Sequence, residues 1–147
     1  MSGHCSLERL LGCLGLQAGA TQPAEADETV ALRYADGLIC VLAMDVGGGL
    51  LASTPIAFIH ESSRLPLFEK ALRLNGSREQ AHEGVIGYDA VLSQLEYSIR
   101  IPADALDDET FPSKLARFMQ CAVALRARLA EQGASIKPPV KVRTATL

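Results

Sequence analysis

The stretch TVALRYADGLICVLAM, residues 29–44, decides the architecture. Its two ends, TVALRY (29–34) and LICVLAM (38–44), are rich in β-branched and apolar residues. Between them Ala35-Asp36-Gly37 offers a short turn with a glycine available for positive φ, so the stretch reads as a β-hairpin. The second strand is apolar on both faces: Leu38, Cys40, Leu42 and Met44 lie on one side, Ile39, Val41 and Ala43 on the other. That pattern belongs to a central strand. Asp45-Val46-Gly47-Gly48-Gly49 makes the next turn, and residues 50–59 (LLASTPIAFI) supply a third strand. Pro55 cannot donate to a ladder, which predicts a bulge, an edge or the end of regular pairing at that point.

Working outward, residues 4–14 read as a short helix, because Leu7, Leu10, Leu11 and Leu14 fall at i, i+3, i+4 and i+7. Ser2 or Ser6 is its candidate cap and Gly15 its stop. Residues 17–27 are small, polar and broken by Pro23, the composition of an exposed loop. Downstream, LPLFEKALRL (65–74) predicts a helix starting near Ser62 or Ser63, with Pro66 in its first turn and Asn75-Gly76 at its end. Leu65, Phe68, Ala71 and Leu72 form its apolar face, flanked by Leu67 and Leu74. Residues 77–84 read as polar loop, 85–89 as a short strand and 92–101 as a longer one. In the longer strand Leu95, Tyr97, Ile99 and Ile101 alternate with polar residues, so one face is covered and one is wet.

The last helix has the plainest signature. Asp107-Asp108-Glu109-Thr110 crowds acids at its start, where they complement the helix dipole. Phe111, Leu115, Phe118, Ala122, Leu125 and Leu129 then recur at steps of three and four. Gly133 ends it. The tail GASIKPPVKVRTATL contains Pro138-Pro139 and no core face, and is expected to be extended or disordered. The predicted order is α-βββ-α-ββ-α: an α+β fold in which an antiparallel sheet carries helices on one face, a two-layer sandwich. We assign one domain to residues 1–132 and a basic tail to 133–147.

Composition limits the function. At 147 residues the chain is long enough for one real core, burying roughly 70% of its unfolded surface. Its 48% apolar and 21% charged residues are those of a protein that folds. The net charge of −3 is unevenly spread: Lys137, Lys141 and Arg143 sit in a tail without acids, leaving −6 on residues 1–132. An acidic body excludes nucleic acid as a partner except through the tail, whose three charges give only weak, salt-sensitive binding. No apolar run is long enough for a membrane span and the start lacks a secretion signal, so the expected location is the cytoplasm.

Catalytic patterns are missing from the sequence. The glycine run at 47–49 lies between two strands and lacks the Lys-Ser or Lys-Thr pair of a phosphate loop. His4, His60 and His82 lie in separate segments, and Cys5, Cys13, Cys40 and Cys121 show no metal-ligand spacing. Ser53, Thr54 and Ser62 lack a nucleophile motif. We therefore expect no enzyme activity, no cofactor and no metal. What the pattern does contain is surplus apolar surface: an all-leucine stripe on the first helix, a strand apolar on both faces, and a middle helix apolar over more than half its circumference. Such a surplus points to apolar interfaces, one of them a symmetric dimer.

An ordered series of segments within residues 6–131 resembles the class I type III secretion chaperones, the CesT/SycE-like family. The series comprises Leu10-Leu11 with Leu14-Gly15-Leu16; Leu38 to Asp45 with its glycine turn and Leu50-Leu51; Leu67 to Asn75; Gly84-Val85-Ile86-Gly87-Tyr88-Asp89; and Ile101-Pro102 followed by Leu106 to Phe111, Leu115 and Phe118. The resemblance implies a homodimer in the cytoplasm of a Gram-negative bacterium with a type III secretion system, serving virulence. Its client would be the N-terminal segment of a secreted effector, kept soluble and competent for secretion, with the secretion apparatus ATPase as a further partner. It further implies a dimer interface centred on Phe68, Leu72, Leu95, Tyr97 and Ile99. Effector docking is implied at Leu7, Leu10, Leu14, Leu32, Tyr34, Val41 and Leu42, by strand addition and pocket filling. The alternative is a small α+β ligand-binding domain or enzyme whose pocket the sequence does not reveal.

Overall fold

The computed structural model describes residues 6–15, 29–34, 37–131 and 144–146. Helix α1 spans Leu7–Cys13, followed by strands β1 (Thr29–Arg33), β2 (Ile39–Met44) and β3 (Leu50–Phe58). Then come α2 (Arg64–Asn75), the single turn α3 (Arg78–Ala81), β4 (Val85–Asp89), β5 (Gln94–Ile101), α4 (Phe111–Ala130) and β6 (Thr144–Thr146). The expected α-βββ-α-ββ-α order is present, with two additions. A helical turn, α3, interrupts the segment read as polar loop, and a strand, β6, lies in the tail. The loop 17–27 and most of the tail fall outside the described residues.

The strands form one sheet in the order β4-β5-β3-β2-β1-β6, antiparallel throughout except for the parallel β1–β6 pair. β2 pairs on both sides, as its two apolar faces required. The ladder between β3 and β5 shifts register between Pro55 and Ala57, the irregularity that a residue without an N–H imposes. Helices cover the face presented by Leu42, Leu50, Ala52, Leu95 and Tyr97, and α4 lays Phe111, Leu115, Phe118, Ala122, Leu125 and Leu129 into that core.

Local devices fix the β2–β3 and β4–β5 turns and the starts of α1 and α4. Asp45 takes the N–H groups of Gly47 and Gly49 on one carboxylate oxygen, both at 2.8 Å, and Gly48 supplies the positive φ of 79°. The glycine run is thus a hairpin turn. Asp89 accepts from the Val91 and Leu92 amides in the β4–β5 turn. Ahead of α4, whose N-cap residue is Thr110, Asp107 fixes the turn by accepting from the Thr110 amide at 2.8 Å and its hydroxyl at 2.6 Å. Asp108 instead pairs with Arg9 at 2.7 Å, fastening α1 to the start of α4. Ser6 caps α1 by accepting from the Arg9 amide, which settles the choice between Ser2 and Ser6 among the described residues.

Candidate binding surfaces

α2 carries two apolar stripes, and packing selects between them. At about 100° per residue, Leu67, Ala71 and Leu74 form one stripe while Leu65 and Leu72 lie on another, with Phe68 between. The first stripe enters the core, where Leu67 is 0% exposed. The second faces out, with Leu65 79% and Leu72 72% exposed. This inverts the sequence expectation, which placed Leu65 and Leu72 on the main face and Leu67 and Leu74 at its flanks. The reason is that α2 packs against β4 and α4, a constraint from residues distant in sequence.

The outward stripe of α2 continues onto the sheet. Phe68 meets Tyr88 of β4 edge-on, with ring centroids 4.9 Å apart, and the Arg64 guanidinium lies 5.4 Å and 5.6 Å from the two centroids. This is a cation–π arrangement that pins the aromatic pair. Val91 in the β4–β5 turn is also exposed, as is Val85, which alternation places on the opposite face of β4 from Ile86 and Tyr88. Of the residues expected at a dimer interface, Leu72 is exposed, and Phe68 and Ile99 are partly buried. Leu95 and Tyr97 are enclosed in the core of the single chain, because they alternate toward α4 and not away from it.

The residues expected to dock a client separate in the same way. Leu7, Leu10, Leu32 and Leu42 are core residues, because α1 buries its leucine stripe instead of displaying it. Leu14 and Tyr34 are partly buried at the margin of that core. Val41 points to the opposite face of the sheet, where Ala43 pairs with Leu51, and Leu51 is 42% exposed. The sequence reading missed Leu51, Leu65, Tyr88 and Val91. For Leu51 the available signal was its opposite parity to the buried Leu50 and Ala52.

A cleft of about 220 Å³ lies between β5 and α4, floored by Tyr97, Ile99 and Phe118 and rimmed by Arg100, Lys114 and Arg117. Two of these cations are engaged: Lys114 donates to the Ala105 carbonyl at 2.6 Å, and Arg100 pairs with Asp45 at 2.6 Å. Burial, and secondarily Cys121, raises the Tyr97 hydroxyl above its ordinary value, and it donates to the Ala81 carbonyl at 2.7 Å. Burial also pushes the Cys40 thiol up to about 12, away from the thiolate a nucleophile needs. Asp45 is held below the usual carboxylate range, chiefly by the Gly49 amide and then by Arg100. Among the described residues no group of three or more His, Cys, Asp or Glu side chains is placed to hold a metal ion, and no helix is long and apolar enough to cross a membrane.

Apolar stripes at a helix surface and on an outer sheet face, carried by a rigid α+β scaffold, are the equipment of a protein that binds other polypeptides. The chain belongs to the Tir chaperone protein (CesT) family, whose model matches residues 7–126. No curated protein matches the sequence significantly. Solved structures share its fold. One is the heterodimeric ExoU-SpcU complex from the type III secretion system of Pseudomonas aeruginosa, at TM-score 0.63 and 18% identity, covering 86% of this chain and 96% of that one. The ExsC-ExsE complex matches at 0.62 and 18%, covering 84% and 90%. YbjN from E. coli, described as a candidate transcription regulator, matches at 0.64 and 18%, covering 89% and 93%.

Proposed function

We propose that this chain is a cytoplasmic chaperone that binds the N-terminal chaperone-binding segment of a type III secreted effector and keeps it soluble and secretion-competent. The observation that carries this reading is membership of the Tir chaperone family over residues 7–126. The exposed apolar surfaces supply a physical means. A client segment that is sticky when free exchanges water for apolar contact on the chaperone and stays extended.

The active unit is a homodimer, joined through the outward stripe of α2 and the adjoining β4. Leu72 and Phe68 keep their expected role there, with Leu65 and Tyr88 added. Leu95 and Tyr97 act from behind, as the floor that holds this surface in shape. The client docks across the margin marked by Leu14 and Tyr34 and over the outer sheet face at Val41 and Leu51. The secretion apparatus ATPase is a further partner in this scheme, receiving the loaded complex.

The test is co-expression with N-terminal fragments of secreted proteins encoded beside this gene. A retained fragment, a complex with two copies of this chain by light scattering, and loss of retention when the fragment's first segment is deleted are expected. A stable monomer that retains none of the fragments overturns the reading.

A further inference from the structure

Every open sheet has two edges; here the edge strands are β4 and β6, and each limits strand addition from within the chain. At the β4 edge the Asn75 side chain, at the end of α2, accepts from the Ile86 amide at 2.7 Å and donates to the Ile86 carbonyl at 2.8 Å. A carboxamide thus takes the place of a neighbouring strand at Ile86, the second residue of β4, and occupies the backbone groups that an added strand would use there. At the opposite edge the chain's own tail forms β6, parallel to β1, with Ala31 against Thr144, Leu32 against Ala145 and Arg33 against Thr146.

The two closures differ in kind. Asn75 belongs to a helix locked into the core by Leu67, Ala71 and Leu74. β6 is three residues long, has β1 as its single sheet neighbour, and begins fourteen positions after α4 ends at Ala130. Each backbone hydrogen bond contributes only about 0.5–1.5 kcal/mol net. The tail is held chiefly because it is tethered, at an effective concentration on the order of millimolar. Its charge adds to this, since residues 133–147 carry three cations and no acid against −6 on the rest of the chain. Such a contact covers an edge yet yields to a longer strand that also fills side-chain pockets.

We propose that the C-terminal segment Thr144–Thr146 is a built-in surrogate strand that masks the β1 edge and is displaced when an extended client segment adds to the sheet in its place. The inference rests on the chaperone reading and specifies where and how the client enters: at β1, running parallel to it, through an uncharged stretch of small and β-branched residues like the Thr-Ala-Thr it replaces. In the empty chaperone the edge is then a strand of three residues in place of the five of β1, a shorter ladder for other chains to pair with.

The test uses the full chain, a chain ending at Val140, and a full-length variant with Thr144→Pro, Ala145→Pro and Thr146→Pro. The triple variant keeps the tail's length and charge and removes its strand donors. The probe is a synthetic peptide of residues 141–147. Amide exchange in residues 29–34 should be faster in both variants than in the full chain. The peptide should bind the shortened chain one to one, restore protection there, and bind the full chain at least tenfold more weakly. Unchanged exchange in both variants, or equal peptide affinity for full and shortened chains, overturns the masking. A client fragment retained in the co-expression experiment should bind both variants several-fold tighter than the full chain, and equal affinity for all three overturns the surrogate role. If neither form retains any client, the chaperone reading fails, while exchange and peptide binding still decide whether the tail masks β1.

Discussion

The ring of Tyr97 lies where a side chain at position 84 would have to be: a Cβ placed on Gly84 would sit 2.2 Å from the ring. Tyr97 is fixed on its other side by Phe118, stacked at 4.9 Å with the planes 11° apart, and at its tip by the Ala81 carbonyl. The ring has nowhere to retreat. Gly84→Ala should therefore cost about 1–3 kcal/mol, the range for overpacking a filled core. Tyr97→Phe, which keeps the ring and loses the hydrogen bond, should cost about 1 kcal/mol. Urea unfolding of the two variants checks both values.

The two stripes of α2 predict opposite behaviour. Leu67→Ala should destabilise the fold by about 2–5 kcal/mol, as a cavity in the core does. Leu72→Glu should leave stability within about 0.5 kcal/mol while abolishing self-association. Light scattering beside urea unfolding separates the effects. A dimer that survives both Leu72→Glu and Phe68→Glu places the interface elsewhere.

Removing the Asn75 side chain exposes the β4 edge. Asn75→Ala leaves the amide and carbonyl of Ile86 without their partner, at a cost of about 1–3 kcal/mol. Hydrogen exchange at Ile86 should accelerate more than exchange in β2, whose ladders are untouched.

Acid should loosen the Asp45 turn and the start of α4 together. The folded-state pKa of Asp45 lies below its ordinary value because of the Gly49 amide and Arg100, and that of Asp107 because of Thr110. Between the folded and unfolded pKa the unfolded state binds more protons, so the stabilisation is full above the unfolded carboxylate value near 3.9 and is lost as pH falls through the lower folded value. Asp45→Asn and Asp107→Asn should each flatten the decline in urea midpoint between pH 5 and pH 2.5.

The Cys40 thiol, buried and raised to about 12, should resist alkylation at pH 8 in the folded chain and react once urea unfolds it. Mass spectrometry of peptides containing Cys40 reads this directly. Labelling in the native state at the rate of a free thiol would contradict the burial.

Much of this molecule was legible in local pattern. The 29–44 hairpin, the glycine turn, the bulge at Pro55 and the buried positions of α4 from Phe111 to Leu129 follow from alternation, turn chemistry and helical spacing. They depend on neighbours a few residues away. The surfaces were less legible. Leu7, Leu10, Leu32 and Leu42 are apolar enough to suit either a docking patch or a core, and nothing in their spacing distinguishes the two. Leu51 was overlooked because its one mark, opposite parity to Leu50 and Ala52, is masked by the apolar pair Leu50-Leu51 in a strand of mixed pattern.

By itself the sequence determined the α-βββ-α-ββ-α order of the main elements, the central place of β2 and the family, because each rests on local periodicity or an ordered series of short segments. Tertiary structure alone decided which stripe of α2 turns outward, which strand faces are covered, and that the tail returns to β1. Those choices are set by contacts between segments far apart in the chain. An amphipathic helix with two apolar stripes satisfies its own backbone equally well in either rotation, and only its packing against β4 and α4, which buries Leu67, Ala71 and Leu74, leaves Leu65 and Leu72 facing outward.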